Sequence, residues 1–270
     1  EAILVSKGKS IGFLSKILKG VAKYCYQRLD VIVDIGPCMR TIYREYQHSA
    51  KEATLPPWSF VEPDILLTPH LETRKQLFKE AKLTLLYTGT IGNAHEFDNF
   101  LQLARVLKNR NASVGFCFAG FGNRFDDLKS QVNEEDTNIS FGGFVETDEE
   151  LEQRLSSADL MLISLKKEWT GISVPSKYFS AIAIGKAVLF SGSEDSALSI
   201  WTRDFELGFQ IQDNTINDVA DILCEIANDP DMISKIKENS FKSYKEVFSK
   251  KVICDKWSIL LEEAINNNNF

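Results

Sequence analysis

Four short segments combine glycine, hydroxyl and basic residues in ways suited to holding an anion. In Tyr87-Thr88-Gly89-Thr90-Ile91-Gly92-Asn93-Ala94-His95, two glycines follow directly on an apolar run. Backbone N–H groups can approach a phosphate closely where no Cβ intervenes, and a following helix start adds partial positive charge. The plain alternative is a tight strand-to-helix turn. In Ala119-Gly120-Phe121-Gly122-Asn123, a dinucleotide fingerprint would need a third glycine at Phe125 and an acid near Ser140, and it has neither. The segment reads as a loop bordering a ligand rather than an NAD site. Phe141-Gly142-Gly143-Phe144-Val145 offers main-chain groups to a nucleobase, or is simply a flexible loop. The fourth segment, Gly171-Ile172-Ser173-Val174-Pro175-Ser176-Lys177, precedes Ala183-Ile184-Gly185-Lys186-Ala187-Val188. Proline in a first helical turn leaves N–H groups free, and Ser176 and Lys177 add a hydroxyl and a cation. That set suits a diphosphate. The alternative for Lys177 is a surface lysine early in a helix.

These segments sit in a regular alternation of strand and helix. Apolar runs at 83–89, 113–119, 138–141, 159–165, 187–190 and 207–211 read as strands. Helical spacing recurs in Phe97, Phe100, Leu101, Ala104 and Leu107, and Thr147 with Glu150 forms a capping box. The strands are apolar throughout rather than alternating, so both sheet faces are covered. An α/β, Rossmann-like, doubly wound parallel sheet follows, with its ligand beyond the C-terminal strand ends. The last sixty residues read as helical, ending in a frayed tail over 266–269.

Upstream, residues 11–29 read as an amphipathic helix, with Phe13, Ile17, Val21 and Tyr24 opposed to Lys16, Lys19, Lys23 and Arg28. The expectation is a helix packed on a domain with its basic face solvated; the same pattern admits peripheral membrane contact. A buried strand over 30–35 and a helix over 38–46 follow. Residues 49–64 hold three of the seven prolines and read as a stiff linker.

The segments YTGTIGNAH, FCFAGFGN, ISFGGFVETDEEL and VPSKYFSAIAIGKAVL resemble, in order and spacing, the family 4 glycosyltransferases that build bacterial exopolysaccharide and O-antigen. DVIVDIGPCMR and LPPWSFVEPD are similar to the end of that family's acceptor domain and its linker. The resemblance implies a GT-B fold with a partial N-terminal Rossmann-like segment. It divides the chain into residues 1–60 (end of the acceptor domain and linker), 61–250 (donor domain) and 251–270 (a helix packing back toward the N-terminal part). It implies a nucleotide-diphosphate-sugar donor, with a UDP-sugar favoured and GDP- or ADP-sugars as alternatives. The acceptor would be a saccharide or lipid-linked sugar, transfer would retain configuration, and no metal or other cofactor would be needed. Pyrophosphate contacts would fall on Gly92, Asn93 and Lys177, with Gly89, Thr90, Gly120, Val174, Ser176 and Ser180 in the same nucleotide-binding set and Lys177 and Glu168 as the catalytic candidates. The base would lie near Phe144 and Val145, and the donor sugar would face the turn Thr170, Gly171 and Ile172. The family's Glu-x7-Glu pair is missing: Ser180 stands where its second Glu holds the ribose, and Ile172 where the first would be. Glu168 is the nearest substitute acid. With only the last part of an acceptor domain, this stretch is expected to be inactive alone, in a cytoplasmic protein at the inner membrane face or free of it.

A net charge of −7 argues against nucleic-acid binding. Five cysteines at no metal spacing read as buried free thiols of a reducing compartment. His95 could reach a donor from the first glycine segment, Trp58 is assigned to the domain junction, and Asp229-Pro230-Asp231 to a helix cap. The competing function is a binding module that holds a nucleotide sugar without transferring it. An NAD-dependent oxidoreductase or a sugar-nucleotide epimerase fits less of the sequence.

Overall fold

The computed structural model describes residues 12–267. Residues 1–11 and 268–270 lie outside it, with the expected helix start at Ile11 and the end of the asparagine tail, and so does the Phe13 side chain. The chain opens with α1 (Gly12–Tyr26). Its apolar residues Ile17, Leu18, Val21 and Tyr24 are between 48% and 60% exposed. The expected packing of this face is therefore not found among the described residues. Strand β1 (Val31–Asp34) follows, then a helical stretch of a 3-10 turn at Pro37–Met39, α2 (Arg40–Tyr43) and a second turn at Arg44–Tyr46. Strand β2 (Lys51–Thr54) pairs in parallel with β1, from Val31 opposite Lys51 to Asp34 opposite Thr54. It corrects the assignment of linker to 49–64. Lys-Glu-Ala-Thr carries no strand pattern of its own, and partners hold it extended: Arg40 bridges Asp34 at 3.2 Å and Thr54 at 2.7 Å, and Arg44 pairs with Glu52. The connection proper begins at Leu55.

The main body runs α3 (Leu71–Phe78), β3 (Leu83–Thr90), α4 (Asp98–Asn109), β4 (Val114–Phe121), α5 (Phe125–Ser130), β5 (Ile139–Gly142), α6 (Asp148–Ser156) and β6 (Leu160–Ser164). It continues with α7 (Lys177–Ala183), β7 (Ala187–Ser191), α8 (Ala197–Asp204), β8 (Gly208–Ile211), α9 (Ile216–Asn228) and α10 (Asp231–Ser243). The six strands β3–β8 are parallel in the order β5-β4-β3-β6-β7-β8. Successive side chains of a strand point to opposite faces. Leu85, Tyr87, Phe116, Phe118 and Leu162 thus join α4 and α9 in one core, while Leu86, Cys117, Met161, Ile163 and Phe190 join α7 in the other. Two apolar faces account for the unbroken apolar runs. The strand order reverses between β3 and β6, and ligand crevices open at that point in such sheets.

After α10 a π-helical turn (Tyr244–Phe248) leads into α11 (Lys250–Asn267). Ile253 and Leu260 of α11 bury Leu55, with Val31, Val33, Ala53, Trp58 and Trp257 packed around them. Lys51 pairs with Glu263 across the same junction. The helix holds through Asn267, so the part of the asparagine tail that is described is not frayed. All five cysteines are free, but only Cys117 is buried; Cys25 is exposed and the other three are half-buried.

Candidate functional site

The first two glycine segments end neighbouring strands. Gly89, Gly120 and Gly122 have φ of 116°, 131° and 142°, which disfavour any other residue. A Cβ on Gly120 would stand 2.0 Å from the Gly89 oxygen, and one on Gly122 would stand 2.1 Å from that of Ile91. The Gly120–Gly122 pair thus lets two main chains close on each other, sealed by Ile91 N to Phe121 O at 2.7 Å and Arg124 N to Ile91 O at 3.2 Å. That requirement needs no ligand to explain it. The amides of Gly92, Asn93 and Ala94, by contrast, donate to nothing among the described residues. Helix α4 starts only at Asp98. The loop's own amides, rather than the helix start expected from sequence, are what it offers an anion.

Lys177 crosses to this loop from α7. Its Nζ donates to Tyr87 Oη at 2.8 Å and Thr90 O at 2.9 Å, and lies 4.7 Å from the Tyr87 ring centroid. A Cβ on Gly89 would stand 2.6 Å from Lys177 Cε, so Gly89 also clears the path of the lysine stem. Burial lowers the Lys177 pKa to about 8. This is a sheltered cation, not the surface lysine of the alternative reading. Next to it, His95 Nδ1 donates to Ser164 O at 3.0 Å. Burial, and then the charge of Lys177, hold the imidazole below its usual pKa. The ring is neutral, with Nε2 left as an acceptor.

Around Lys177 lies a hollow of about 340 Å³. Thr88, Gly89, Thr90, Ser176 and Lys177 line it together with Leu151, Leu155, Met161 and Ile184. The hydroxyls of Ser59 and Ser180, 3.5 Å apart, line it too, with Phe60 and Val61. Positions 177, 180 and 184 share one face of α7 and its end. A cation, a hydroxyl and an apolar side chain therefore follow one another over about 10 Å. None of the lining residues is a carboxylate.

Residues 70–243 match the model of the family described as glycosyl transferases, group 1. The chain belongs to that family. It is 22% identical over 229 residues to the probable glycosyltransferase WbjE of Pseudomonas aeruginosa, an overlap that takes in 82% of this chain and 56% of WbjE. The chain thus spans little more than half the length of that curated relative. Its fold is that of sucrose-phosphate synthase from Thermosynechococcus elongatus (TM-score 0.69, 14% identity, 99% of this chain and 66% of that one). It is also that of HepE from Anabaena, solved in complex with UDP-glucose (TM-score 0.68, 13% identity, 92% and 68%). The fold is GT-B.

In this member of the family the sequence-derived site residues fall into three places. Gly89, Thr90, Ser176, Lys177 and Ser180 share the hollow, with Gly92 and Asn93 on the adjoining loop and Gly120 behind Gly89. Phe144 and Val145 line a separate hollow of about 450 Å³, on the side of α6 that carries Glu150, Gln153 and Arg154. Leu151 and Leu155, from the same helix, face the Lys177 hollow. Phe144 stands edge-on to Phe121, ring centroids 5.2 Å apart, and both are exposed. The turn Thr170-Gly171-Ile172 is the third place. Its amides at Thr170 and Ile172 are taken by Lys167 O and Trp169 O. A Cβ on Gly171 would meet Cys38 O at 2.9 Å, so the segment after β1 lies against it, and Val174 is buried beside Gly36. Glu168 is exposed on the 3-10 turn Lys167–Trp169 and does not line the Lys177 hollow.

A hollow of about 500 Å³ beyond β7 and β8 carries Glu96, Glu194, Asp195 and Asp213, and those carboxylates would repel a diphosphate. Sequence reasoning missed Ser59, Tyr87, Leu151, Leu155, Met161 and Ile184. Leu151 and Leu155 had a signal, an i,i+4 apolar pair on a helix, but it is the signal of any core-facing helix. Trp58 packs at the junction with α11, and Asp229 Oδ1 accepts from Asp231 N at 3.2 Å as a turn into α10.

Proposed function

We propose that the chain is the donor-binding part of a family 4 glycosyltransferase, moving sugar from a UDP-sugar to a saccharide or lipid-linked acceptor with retention of configuration. The observation that carries this reading is the order of Lys177, Ser180 and Ile184 along the α7 side of the hollow. A cation beside a glycine turn, then a hydroxyl, then an apolar side chain follow the order of diphosphate, ribose and base. Lys177 and the free amides of the 92–94 loop would take up the negative charge of the departing diphosphate. HepE's complex with UDP-glucose supports a uridine donor, while GDP- and ADP-sugars fit the same chemistry. In this reading Lys177 and the loop amides, rather than a metal, would meet the diphosphate charge. The base would sit beside Leu151 and Ile184, rather than beside Phe144 and Val145.

Residues 1–60 would belong to an acceptor-side domain. β1 and β2 form a two-stranded parallel sheet with open edges, too small to be stable alone, beside the uncovered apolar face of α1. Co-sedimentation of the chain with anionic vesicles would reassign that face to a membrane surface. Calorimetric titration with UDP, GDP and ADP tests the main reading. Binding of one of them in the micromolar to low millimolar range is expected. No heat with any of the three would overturn it. Binding without transfer by the complete protein would favour the binding-module reading, which gains from the exposure of Glu168 outside the hollow.

A further inference from the structure

The connection between the two β-sheets does more than join them. Ser59 is 3% exposed, and its backbone N–H donates to Tyr244 Oη at 2.8 Å. That phenol is fully buried in the π-helical turn before α11 and donates in turn to Glu62. The same Glu62 oxygen accepts from Lys250 N at 2.7 Å. One tyrosine and one carboxylate thus tie residues 59 and 62 to residue 250, close in space and nearly two hundred positions apart in sequence. Within the tie, Ser59 Oγ accepts from Val61 N at 3.2 Å, which leaves the hydroxyl hydrogen to point elsewhere. That hydrogen is directed at Ser180 Oγ, 3.5 Å away, and both residues line the hollow. A π-turn is rare and tends to mark a functional position.

We propose that Tyr244 and Glu62 are positioning residues that hold the connecting segment against the hollow, so that Ser59 and Ser180 together take the ribose hydroxyls of a bound nucleotide. Two neutral hydroxyls 3.5 Å apart can each donate and accept, which matches a vicinal diol. The inference rests on the nucleotide reading above and adds that recognition of the sugar comes partly from outside the sheet domain. Its energetic content is that of neutral hydrogen bonds, so loss of one partner should weaken binding by about two- to tenfold.

The test compares the tightest binder among UDP, GDP and ADP with its 2′-deoxy form, on the chain as it stands. The ribonucleotide is expected to bind several-fold tighter. Ser59→Ala, Ser180→Ala and Tyr244→Phe should each bring the ratio toward one. Glu62→Ala, which leaves Tyr244 Oη and Lys250 N without their acceptor, should lower it as well. A merely structural role for Ser59 or Tyr244 would weaken both ligands equally and leave the ratio unchanged; that result overturns the proposal. So does a wild-type ratio already at one. If Tyr244→Phe does not fold, Ser59→Ala carries the same comparison without touching the buried ring. Absence of binding by all three ribonucleotides overturns the nucleotide reading itself, and this inference with it, so the two failures are distinguishable.

Discussion

Replacing Lys177 with methionine removes a charge but keeps most of the stem's volume. In the free protein the ammonium is sheltered, and its pKa falls from 10.5 to about 8. At about 1.4 kcal/mol per pK unit, burial opposes the charged form by roughly 3 kcal/mol. A diphosphate beside Nζ would repay that cost and restore a higher pKa in the complex. Because the complex then holds its proton more tightly than the free chain, affinity is full below pH 8. It falls by about tenfold per pH unit above it. The terminal phosphate's own last ionisation, near 6, is complete by pH 7 and does not contribute to this slope.

Lys177→Met should therefore bind UDP about 10- to 150-fold more weakly at pH 7, the worth of a charge-assisted hydrogen bond of about 1.5–3 kcal/mol. Its affinity should be flat from pH 7 to 9, where the wild type loses about a decade. Stability supplies the control. A depressed lysine pKa means the fold is penalised while the group is charged, so the variant's Tm at neutral pH should equal or exceed that of the wild type. Isothermal titration at pH 7, 8 and 9 and a thermal melt provide the measurements. A wild-type affinity independent of pH over this range, or a variant within about threefold of it at pH 7, would refute the role given to Lys177.

Other outcomes follow from the framework around the site. Burial raises the Asp159 pKa, but Lys237 and Arg74, both at 2.8 Å, more than offset this and hold it at about 2. Its stabilising effect is present above the ordinary carboxylate range and is lost as pH falls from about 4 toward 2. Asp159→Asn should cost about 1–3 kcal/mol in a urea melt at pH 7, by leaving the half-buried Arg74 and Lys237 without their charged partner. Gly120→Ala should cost on the order of 3 kcal/mol, lowering Tm by roughly 6–12 °C, because its Cβ has no room against Gly89 O. Thr147→Ala removes the side-chain cap of α6 and should cost about 0.5–2 kcal/mol in the same melt, with nucleotide affinity changed little. Leu155→Asp places a charge in the apolar lining of the hollow and should abolish detectable UDP binding in calorimetry, while phosphate alone binds as weakly as before.

The sheet was legible because it is buried on both faces. Residues 83–89, 113–119 and 187–190 have no polar alternation, and only a strand covered on two sides reads that way. The capping box at Thr147 was legible because a cap is a local bond between near neighbours. Strand β2 was not, because Lys51–Thr54 is made extended by partners elsewhere in the chain rather than by its own composition. Helices α3, α5 and α8 are short, and short amphipathic stretches leave little periodicity to read. In the site, Lys177 and its glycine loop were visible as residue types at the right place in the fold. The Ser59–Ser180 pair and the Tyr244–Glu62 tie were not, since they join positions more than a hundred residues apart. The same limit explains Phe144 and Val145. Motif order placed them at the strand ends, but it carries no information on which side of α6 their loop would open.

Ser59, Phe60 and Val61 belong at once to the connection between the two sheets and to the lining of the Lys177 hollow. A rotation about that connection is therefore also a change in the hollow's shape. By linkage, whatever prefers one shape of the hollow must bias the angle of the connection by an equal free energy, and the reverse holds as strictly. Substitutions in the Pro56–Pro57 stretch, far from any phosphate, would then register as altered grip on the ligand.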